Sequence, residues 1–182
     1  MTVTGASILT DPPERGHIVY PYTDEARVVD AVSLYAGSGL KKGEAVVLIL
    51  SLLHCQGVEA KLKEEGFDVV ALKQSGQFIC ADAARSLSSF MVNNMPDEAR
   101  FRELIDPLIS RAKASGSGRV RAFGEMVSLL FTSNPAAALR LEEFWNQVVE
   151  REAICLLCTY QLSAPGATLQ EDLCAAHSHY IA

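Results

Sequence analysis

A continuous run of apolar residues, AVVLIL at 45–50, constrains the fold of this chain more than any other feature. A strand that is apolar on both faces needs cover on both faces, which is typical of a central strand in a mostly parallel sheet. Further strand candidates are HIVYPY at 17–22, RVRAF at 119–123 and AICLLCTY at 153–160. Because helical patterns separate these strands, we predict a three-layer α/β/α fold with ligands at the carboxyl ends of its strands.

The segments between these strands have boundaries that local signals predict. We expect a helix from Thr23, a candidate N-cap, to the glycines of GSGL at 37–40. DVVALKQ at 68–74 indicates a strand, and Pro107 predicts a kink or two shorter helices within the helical pattern from Asp97. A closing helix is expected over LQEDLCAAHSHYI at 169–181.

Length favours one domain. The 182 residues are enough to bury a substantial core but not to form two typical domains. The breaker DPPERG at 11–16 indicates a flexible lead over residues 1–15, and a single domain is expected over 16–182.

Charge and apolar patterning exclude several classes of protein. A net charge of -6 without a basic run disfavours binding to nucleic acid. No apolar stretch approaches the roughly 20 residues that span a bilayer, and the amino terminus lacks a secretory leader. We therefore expect a cytoplasmic protein without membrane contact.

The five cysteines indicate reduced, buried thiols rather than a disulfide framework, because their number is odd and they lie in apolar runs. Cys155 and Cys158 have the spacing of a redox or zinc pair. On a strand, however, side chains three residues apart point to opposite faces, so we do not expect these two thiols to act together.

The first strand and helix meet at YPYTDE, residues 20–25, where nucleotide-binding α/β proteins carry a glycine-rich phosphate loop. Asp24 and Glu25 place negative charge on the first helical turn, and no lysine compensates it. RVRAF also lacks the terminal Asp that would help hold magnesium. The sequence therefore predicts no ATP hydrolysis, and it contains no other catalytic motif.

Six residues are candidates for a ligand site. Tyr20 and Tyr22 flank the first turn, where they could line a pocket or pack in the core. Arg121 either forms an ion pair, with Glu125 as the nearest partner, or anchors a ligand at its strand's carboxyl end. Glu142 and Glu143 are competing partners. The last strand ends with the two remaining candidates, Cys158 and Tyr160.

The histidines are expected to be structural or to carry a signal. His17 precedes the first strand, at the sheet end remote from the expected pocket. CAAHSH at 174–179 places Cys174 and His177 on one helix face, and His179 could extend that pair toward a metal site. No second ligand cluster has recognisable spacing, so neither a metal nor another cofactor is expected. Trp145 is expected in the core.

Several segments in order resemble the MEDS domain, a sensory module of methanogen and methylotroph regulators. They are HIVYPY, GSGLKKGEAVVLI, LKEEGFDVVALKQSGQF, RVRAFGEM, EEFWNQV, LLCTYQ and CAAHSHYI, between about Gly16 and Ile181. The family is regarded as a degenerate relative of the RecA/KaiC ATPase fold, which implies a RecA/KaiC-like fold without a working phosphate loop. Its histidine near the carboxyl terminus matches His177 or His179.

The resemblance implies a non-enzymatic sensory or regulatory domain for a small ligand of the hydrocarbon type or a signalling partner. This sequence carries no output domain, so a separate histidine kinase or transcription regulator is expected to take the signal. A homodimer is compatible with the many apolar helices. The alternatives are a degenerate ATPase-fold protein that still binds a nucleotide, and a ligand-free interaction scaffold.

Overall fold

A parallel six-stranded sheet forms the centre of the computed structural model, which describes residues 5–162 and 171–181. The sheet order is β3-β2-β6-β7-β1-β8, and β4 pairs with β5 in a separate antiparallel hairpin. The strands in the described part are β1 Gly16–Tyr22, β2 Ala45–Leu50, β3 Phe78–Asp82, β4 Met91–Val92, β5 Met95–Pro96, β6 Val120–Gly124, β7 Cys155–Gln161 and β8 His179–Tyr180.

Helices cover both faces of this sheet. Those described are α1 Gly5–Thr10, α2 Glu25–Lys41, α3 Leu52–Glu64, α4 Val69–Ser75, α5 Ala83–Phe90, α6 Glu98–Ser115, α7 Met126–Phe131, α8 Pro135–Glu152 and α9 Glu171–Ala175. No helix in the described ranges combines the length and apolar character that crossing a bilayer requires.

Alternation along the buried strands divides the core into two layers. In β2, Val46 and Leu48 pack with α1 to α4, whereas Val47 and Ile49 pack with α5 to α9. All six β2 residues are buried, as a run apolar on both faces requires. The predicted three-layer α/β/α fold with a parallel sheet is therefore confirmed.

Three helix boundaries differ from the sequence prediction. Asp24, not Thr23, caps α2, because its carboxylate accepts a hydrogen bond from Ala26 N at 3.0 Å. That helix continues past GSGL to Lys41. Gly39 serves packing rather than termination, since a Cβ there would lie 2.7 Å from the Arg121 side chain. Pro107 lies inside one continuous helix, α6, and not between two.

Two further elements differ in type. Residues 69–75, predicted as a strand, form α4, because Asp68 caps Ala71 N at 2.9 Å and Gly76 ends the helix at φ 85°. The predicted closing helix is helical only over Glu171–Ala175 in its described part. His179–Tyr180 then add the edge strand β8 beside β1; residues 169–170 lie outside the described ranges.

The amino-terminal lead also differs from the expectation. From Gly5 it forms α1, which packs on α2, and Leu9 is buried. Residues 1–4 lie outside the described ranges.

Candidate functional site

Polar residues from four parallel strands meet at the carboxyl edge of the sheet and form one hydrogen-bond network. Its members are Glu25 after β1, Ser51 and His54 after β2, Glu125 after β6 and Gln161 at the end of β7. We call this set the strand-end network. It lies at the edge where parallel α/β sheets bind their ligands.

His54 is the central member of the strand-end network. Its Nδ1 lies 2.7 Å from Glu125 Oε2, and its Nε2 lies 2.6 Å from Glu25 Oε2. Ser51 caps α3 by accepting from His54 N, which fixes the histidine in the first helical turn. Ser51 N donates to Glu125 Oε1, and Gln161 Nε2 donates to Glu25 Oε1 at 2.7 Å.

The carboxylates of Glu25 and Glu125 favour a positive charge on His54. Burial disfavours a charged imidazole, but the hydrogen bonds and charges of Glu125 and then Glu25 outweigh it and raise the pKa of His54. The imidazolium form can donate both ring N–H groups to the two carboxylates. Burial, with the charges of the same two carboxylates, also raises the pKa of Tyr22.

The strand-end network is a poor seat for phosphate. Its two carboxylates lie where an incoming phosphate would place its own charge, and Ser51 N already donates to Glu125. None of its five members is a lysine or arginine. The carboxylates of Glu25 and Glu125 instead make this edge a set of hydrogen-bond acceptors.

A second polar cluster is buried on the other face of the sheet, under α8. It comprises His17 of β1, Cys158 and Tyr160 of β7, Glu142 of α8 and His177 after α9, and we call it the buried cluster. His17 Nε2 lies 3.2 Å from Cys158 Sγ and 3.3 Å from Glu142 Oε2. His177 Nε2 lies 3.2 Å from Glu142 Oε1, to which Tyr160 Oη donates a hydrogen bond.

Burial favours the neutral form, and so a higher pKa, of each acidic group in this cluster. Burial alone would raise the pKa of Glu142, but the close contacts and charges of His17 and His177 outweigh it and lower that pKa to about 2. The thiol of Cys158 and the hydroxyl of Tyr160 have raised pKa values, because burial and then the Glu142 charge disfavour their anions. Glu142 is therefore the anion of the cluster.

A cavity of about 290 Å³ opens beside the buried cluster. His17 and His177 line it together with Asn146, Arg15 and Ser178, among others. Its lining is predominantly polar, so it connects the two histidines with solvent rather than with an apolar pocket.

One known family matches the chain over most of its length. The model of the MEDS domain, described as the methanogen/methylotroph, DcmR sensory domain, matches residues 16–178. This chain belongs to the MEDS family. No curated protein matches the sequence. MEDS domains are sensory domains, so the sensory role that the resemblance implied is supported at the level of the family.

The ligand residues predicted for this MEDS domain lie in four separate places, of which that of Arg121 is described in the next paragraph. Tyr22 and Glu125 are at the carboxyl edge, the latter within the strand-end network. Tyr20 is half-buried in β1 against the core layer of α1 to α4. Cys158 and Tyr160 belong to the buried cluster on the opposite face, together with His17 and His177. In the described part of the chain, the four residues expected around one crevice, Tyr22, Arg121, Glu125 and Tyr160, do not lie together.

Arg121 of the MEDS domain has a partner that the sequence analysis did not name. It is the second residue of β6, near the amino end, and its Nε donates to Glu44 Oε2, whereas Glu125, Glu142 and Glu143 are not its partners. Both side chains of the pair are buried. The ion-pair interpretation is correct, the proposed partners were wrong, and Arg121 is remote from the carboxyl edge.

The cysteines of this MEDS domain are partly as predicted. Cys155 and Cys158 pack in opposite core layers, so they do not act together. Cys155 and Cys158 are buried free thiols, and Cys174 is a half-buried residue of α9. The expectation of five reduced thiols is wrong for Cys55 on α3 and Cys80 on β3, which form a disulfide.

Five polar residues of these sites were not predicted as members: Glu25, Ser51, His54 and Gln161 of the strand-end network, and Glu142 of the buried cluster. His54 and Glu25 follow strands, which is a usable signal because the carboxyl ends of parallel strands share one edge. Glu142 gave a weaker signal as an acid on the apolar side of the α8 pattern, and it was considered only as a partner of Arg121. His179 is exposed, whereas His177 is in the buried cluster.

Proposed function

We propose that this MEDS domain is a non-enzymatic sensor that binds a small ligand at the strand-end network. The observation that carries the proposal is the network itself: it joins polar groups after β1, β2, β6 and β7 at the edge where parallel sheets bind ligands. Membership in a family of sensory domains supports a binding role rather than turnover.

The ligand that fits this edge has a short hydrocarbon body and a hydrogen-bond donor. The side chain of Glu25 is 56% exposed, so its carboxylate can accept from a molecule in solvent. Tyr20 and Tyr22 share one face of β1; Tyr22 is buried, and the half-buried Tyr20 offers aromatic surface toward the carboxyl end of the strand. Short amines and alcohols combine these properties, whereas nucleotides meet the two carboxylates.

Ligand binding at Glu25 gives the domain two states. A donor on the ligand competes with His54 and Gln161 for the same carboxylate oxygens. Glu25 is the first residue of α2, and His54 lies in the first turn of α3. This competition therefore changes the hydrogen bonds that join the two helices at the carboxyl edge. A ligand that favours one arrangement shifts the population toward it.

The output that we propose is contact with another protein. The resemblance supports a histidine kinase or a transcription regulator as that partner, and a homodimer is the form in which we expect the domain to meet it. Co-purification with and without a stabilising ligand measures whether the contact depends on ligand.

Thermal unfolding tests the ligand proposal. The full chain is screened with short amines and alcohols and with ATP and ADP. A ligand at 100 times its Kd contributes about 2.7 kcal/mol, which raises Tm by roughly 5–10 °C for a domain of this size. Glu25→Gln should abolish this rise, whereas Glu64→Gln, an exposed acid of α3 outside the network, should keep it.

Two outcomes would contradict the proposal. Stabilisation by ATP or ADP, but by no organic compound, would favour a nucleotide-binding relative of the ATPases. A panel without any effect on Tm in a folded protein would favour a ligand-free scaffold.

A further inference from the structure

We propose that the buried cluster is a binding site for one divalent transition metal ion, with zinc as the best match. The ligands are Nε2 of His17, Nε2 of His177, the carboxylate of Glu142 and the thiolate of Cys158. This site lies on the opposite face of the sheet from the strand-end network and shares no residue with it. The metal proposal is therefore independent of the proposed ligand sensor.

Three distances within the cluster are close to the edges of a tetrahedral metal site, whereas Cys158 Sγ lies farther from Glu142 Oε2, at 4.0 Å. Bonds of about 2.0–2.3 Å from zinc to nitrogen, oxygen and sulfur place neighbouring ligand atoms roughly 3.3–3.6 Å apart. His17 Nε2 is 3.2 Å from Cys158 Sγ and 3.3 Å from Glu142 Oε2, and His177 Nε2 is 3.2 Å from Glu142 Oε1. The four ligand atoms all lie within 4.8 Å of one another.

Hydrogen bonds on the far side of each imidazole orient both Nε2 atoms toward the cluster. His177 Nδ1 lies 2.7 Å from the Leu173 carbonyl oxygen, which can only accept, so Nδ1 carries the proton. Asn146 Nδ2 donates to Ala176 O, which leaves Oδ1 to accept from His17 Nδ1 at 2.8 Å. This second shell is the arrangement that holds metal-binding histidines.

A buried ring nitrogen without a hydrogen bond indicates that a cation can lie between these groups. His177 Nε2 is buried, and although it lies 3.2 Å from Glu142 Oε1, it has no hydrogen-bond partner of acceptable geometry. Without a metal, protons on the two Nε2 atoms are needed to pair them with Glu142; once these protons leave, the lone pairs of both rings and of the carboxylate face one another. A cation at the centre satisfies all of these acceptors at once.

The donor set and the charge both select a zinc-class ion. Two imidazoles, one carboxylate and one thiolate suit zinc better than calcium or magnesium, which prefer oxygen ligands. The thiolate and the carboxylate together neutralise a divalent ion, so the loaded site carries no net buried charge. Tyr160 donates to Glu142 Oε1 and thereby holds the carboxylate in place.

Solvent access completes the site. The cavity of about 290 Å³ has both His17 and His177 in its wall, so it brings solvent next to the two imidazoles of the cluster. Binding replaces the thiol proton of Cys158 by the metal and releases that proton to water.

Cobalt binding to the full chain, freed of metal by a chelator, tests the proposal. All proteins carry Cys55→Ser and Cys80→Ser, because those two sulfurs lie with Glu59 in a second group of metal-ligand type. We expect one equivalent of Co²⁺ per chain, a thiolate-to-cobalt charge-transfer band in the near ultraviolet and the strong visible bands of four-coordinate cobalt. Zinc should displace the cobalt.

Matched variants locate the metal. Cys158→Ala should lose the charge-transfer band, whereas Cys155→Ala, which removes a buried thiol from the opposite face of the same strand, should keep it. His177→Gln should keep the band but weaken binding by at least about 100-fold, and Asn146→Ala by roughly 10–100-fold. Circular dichroism establishes that each variant is folded.

The proposal is overturned if the folded parent protein binds no stoichiometric metal. It is also overturned if Cys158→Ala and Cys155→Ala give the same cobalt spectrum. Should Cys158→Ala fail to fold, the decision passes to His177→Gln: an affinity equal to that of the parent excludes the site.

Discussion

Glu44→Gln tests how much the buried ion pair between Arg121 and Glu44 contributes to the free energy of unfolding. Arg121 and Glu44 are both buried, with side-chain exposures of 2% and 3%, and the guanidinium Nε donates to Glu44 Oε2. Glutamine keeps the size of the side chain but removes its charge. Arginine cannot lose its proton in a protein, so the variant holds a buried cation without its counter-ion.

The size of the effect follows from the remaining contacts of Arg121. Its Nη1 donates to Leu9 O, Tyr35 O and Ser38 Oγ at 3.1, 3.0 and 2.8 Å, and its Nη2 donates to Thr10 O at 3.3 Å. These neutral acceptors hold the guanidinium in place, so it cannot escape to water. Breaking a buried pair of this kind costs about 3–5 kcal/mol, which is a large part of the usual 5–15 kcal/mol of total stability.

Denaturant unfolding followed by tryptophan fluorescence measures this cost. The chain has a single tryptophan, Trp145, which is buried in the core, so its emission reports global unfolding. The corresponding fall in Tm is about 6–20 °C, from 2–4 °C per kcal/mol for a domain of this size. Glu65→Gln is the matched control: it breaks the exposed pair between Lys41 Nζ and Glu65 Oε2, 2.7 Å long, and should cost less than about 1 kcal/mol.

Salt separates the two variants further. Exposed charges are screened within a Debye length, so the small effect of Glu65→Gln should vanish at about 1 M salt, whereas that of Glu44→Gln should persist. If Glu44→Gln unfolds within 1 kcal/mol of the parent protein, the reasoning from an enclosed, unpaired guanidinium is refuted.

Two further predictions concern the strand-end network and α2. Because the folded pKa of His54 is raised, its contribution to stability is fully present below the unfolded value of about 6.5 and is lost as pH rises through the folded pKa. Urea unfolding from pH 5 to 9 should show this decline, and a parent profile no steeper than that of His54→Gln would contradict it. Gly39→Ala places a Cβ 2.7 Å from Arg121 Cδ and Nε and should lower stability by about 1–3 kcal/mol. Gly37→Ala, whose Cβ would meet the end of the Glu65 side chain at 3.2 Å and Leu62 Cδ2 at 3.4 Å, should be neutral or stabilising, and equal effects of the two variants would refute the packing role of Gly39.

The layers of the fold were predictable because their signals are local. Apolar runs on both faces identify β2 and β7 without knowledge of their neighbours, and helical periodicity identifies α8. The elements that were predicted wrongly depend on residues outside the element itself. α4 depends on its caps Asp68 and Gly76, and β8 exists only because β1 is available to pair with it.

The functional residues were predictable only where the sheet direction decides their place. Glu125 follows a strand, so the parallel topology alone places it at the carboxyl edge with His54. The partner of Arg121 lies 77 residues away in Glu44, and no spacing rule connects them. The buried cluster draws on positions from His17 to His177, which meet only after the sheet order is known.

The two candidate sites share strands without sharing faces, and this follows from the two-residue period of a strand. β7 supplies Cys158 and Tyr160 to the buried cluster and Gln161, the next residue, to the strand-end network. β1 has the same alternation: His17 near its amino end faces the buried cluster, and Tyr22 at its carboxyl end faces the opposite core layer. A shift of β7 by one residue would therefore turn Cys158, Tyr160 and Gln161 to the wrong face, so both sites require the same register. The parallel ladder between β1 and β7, which pairs Val19 with Cys158 at its middle, fixes that register.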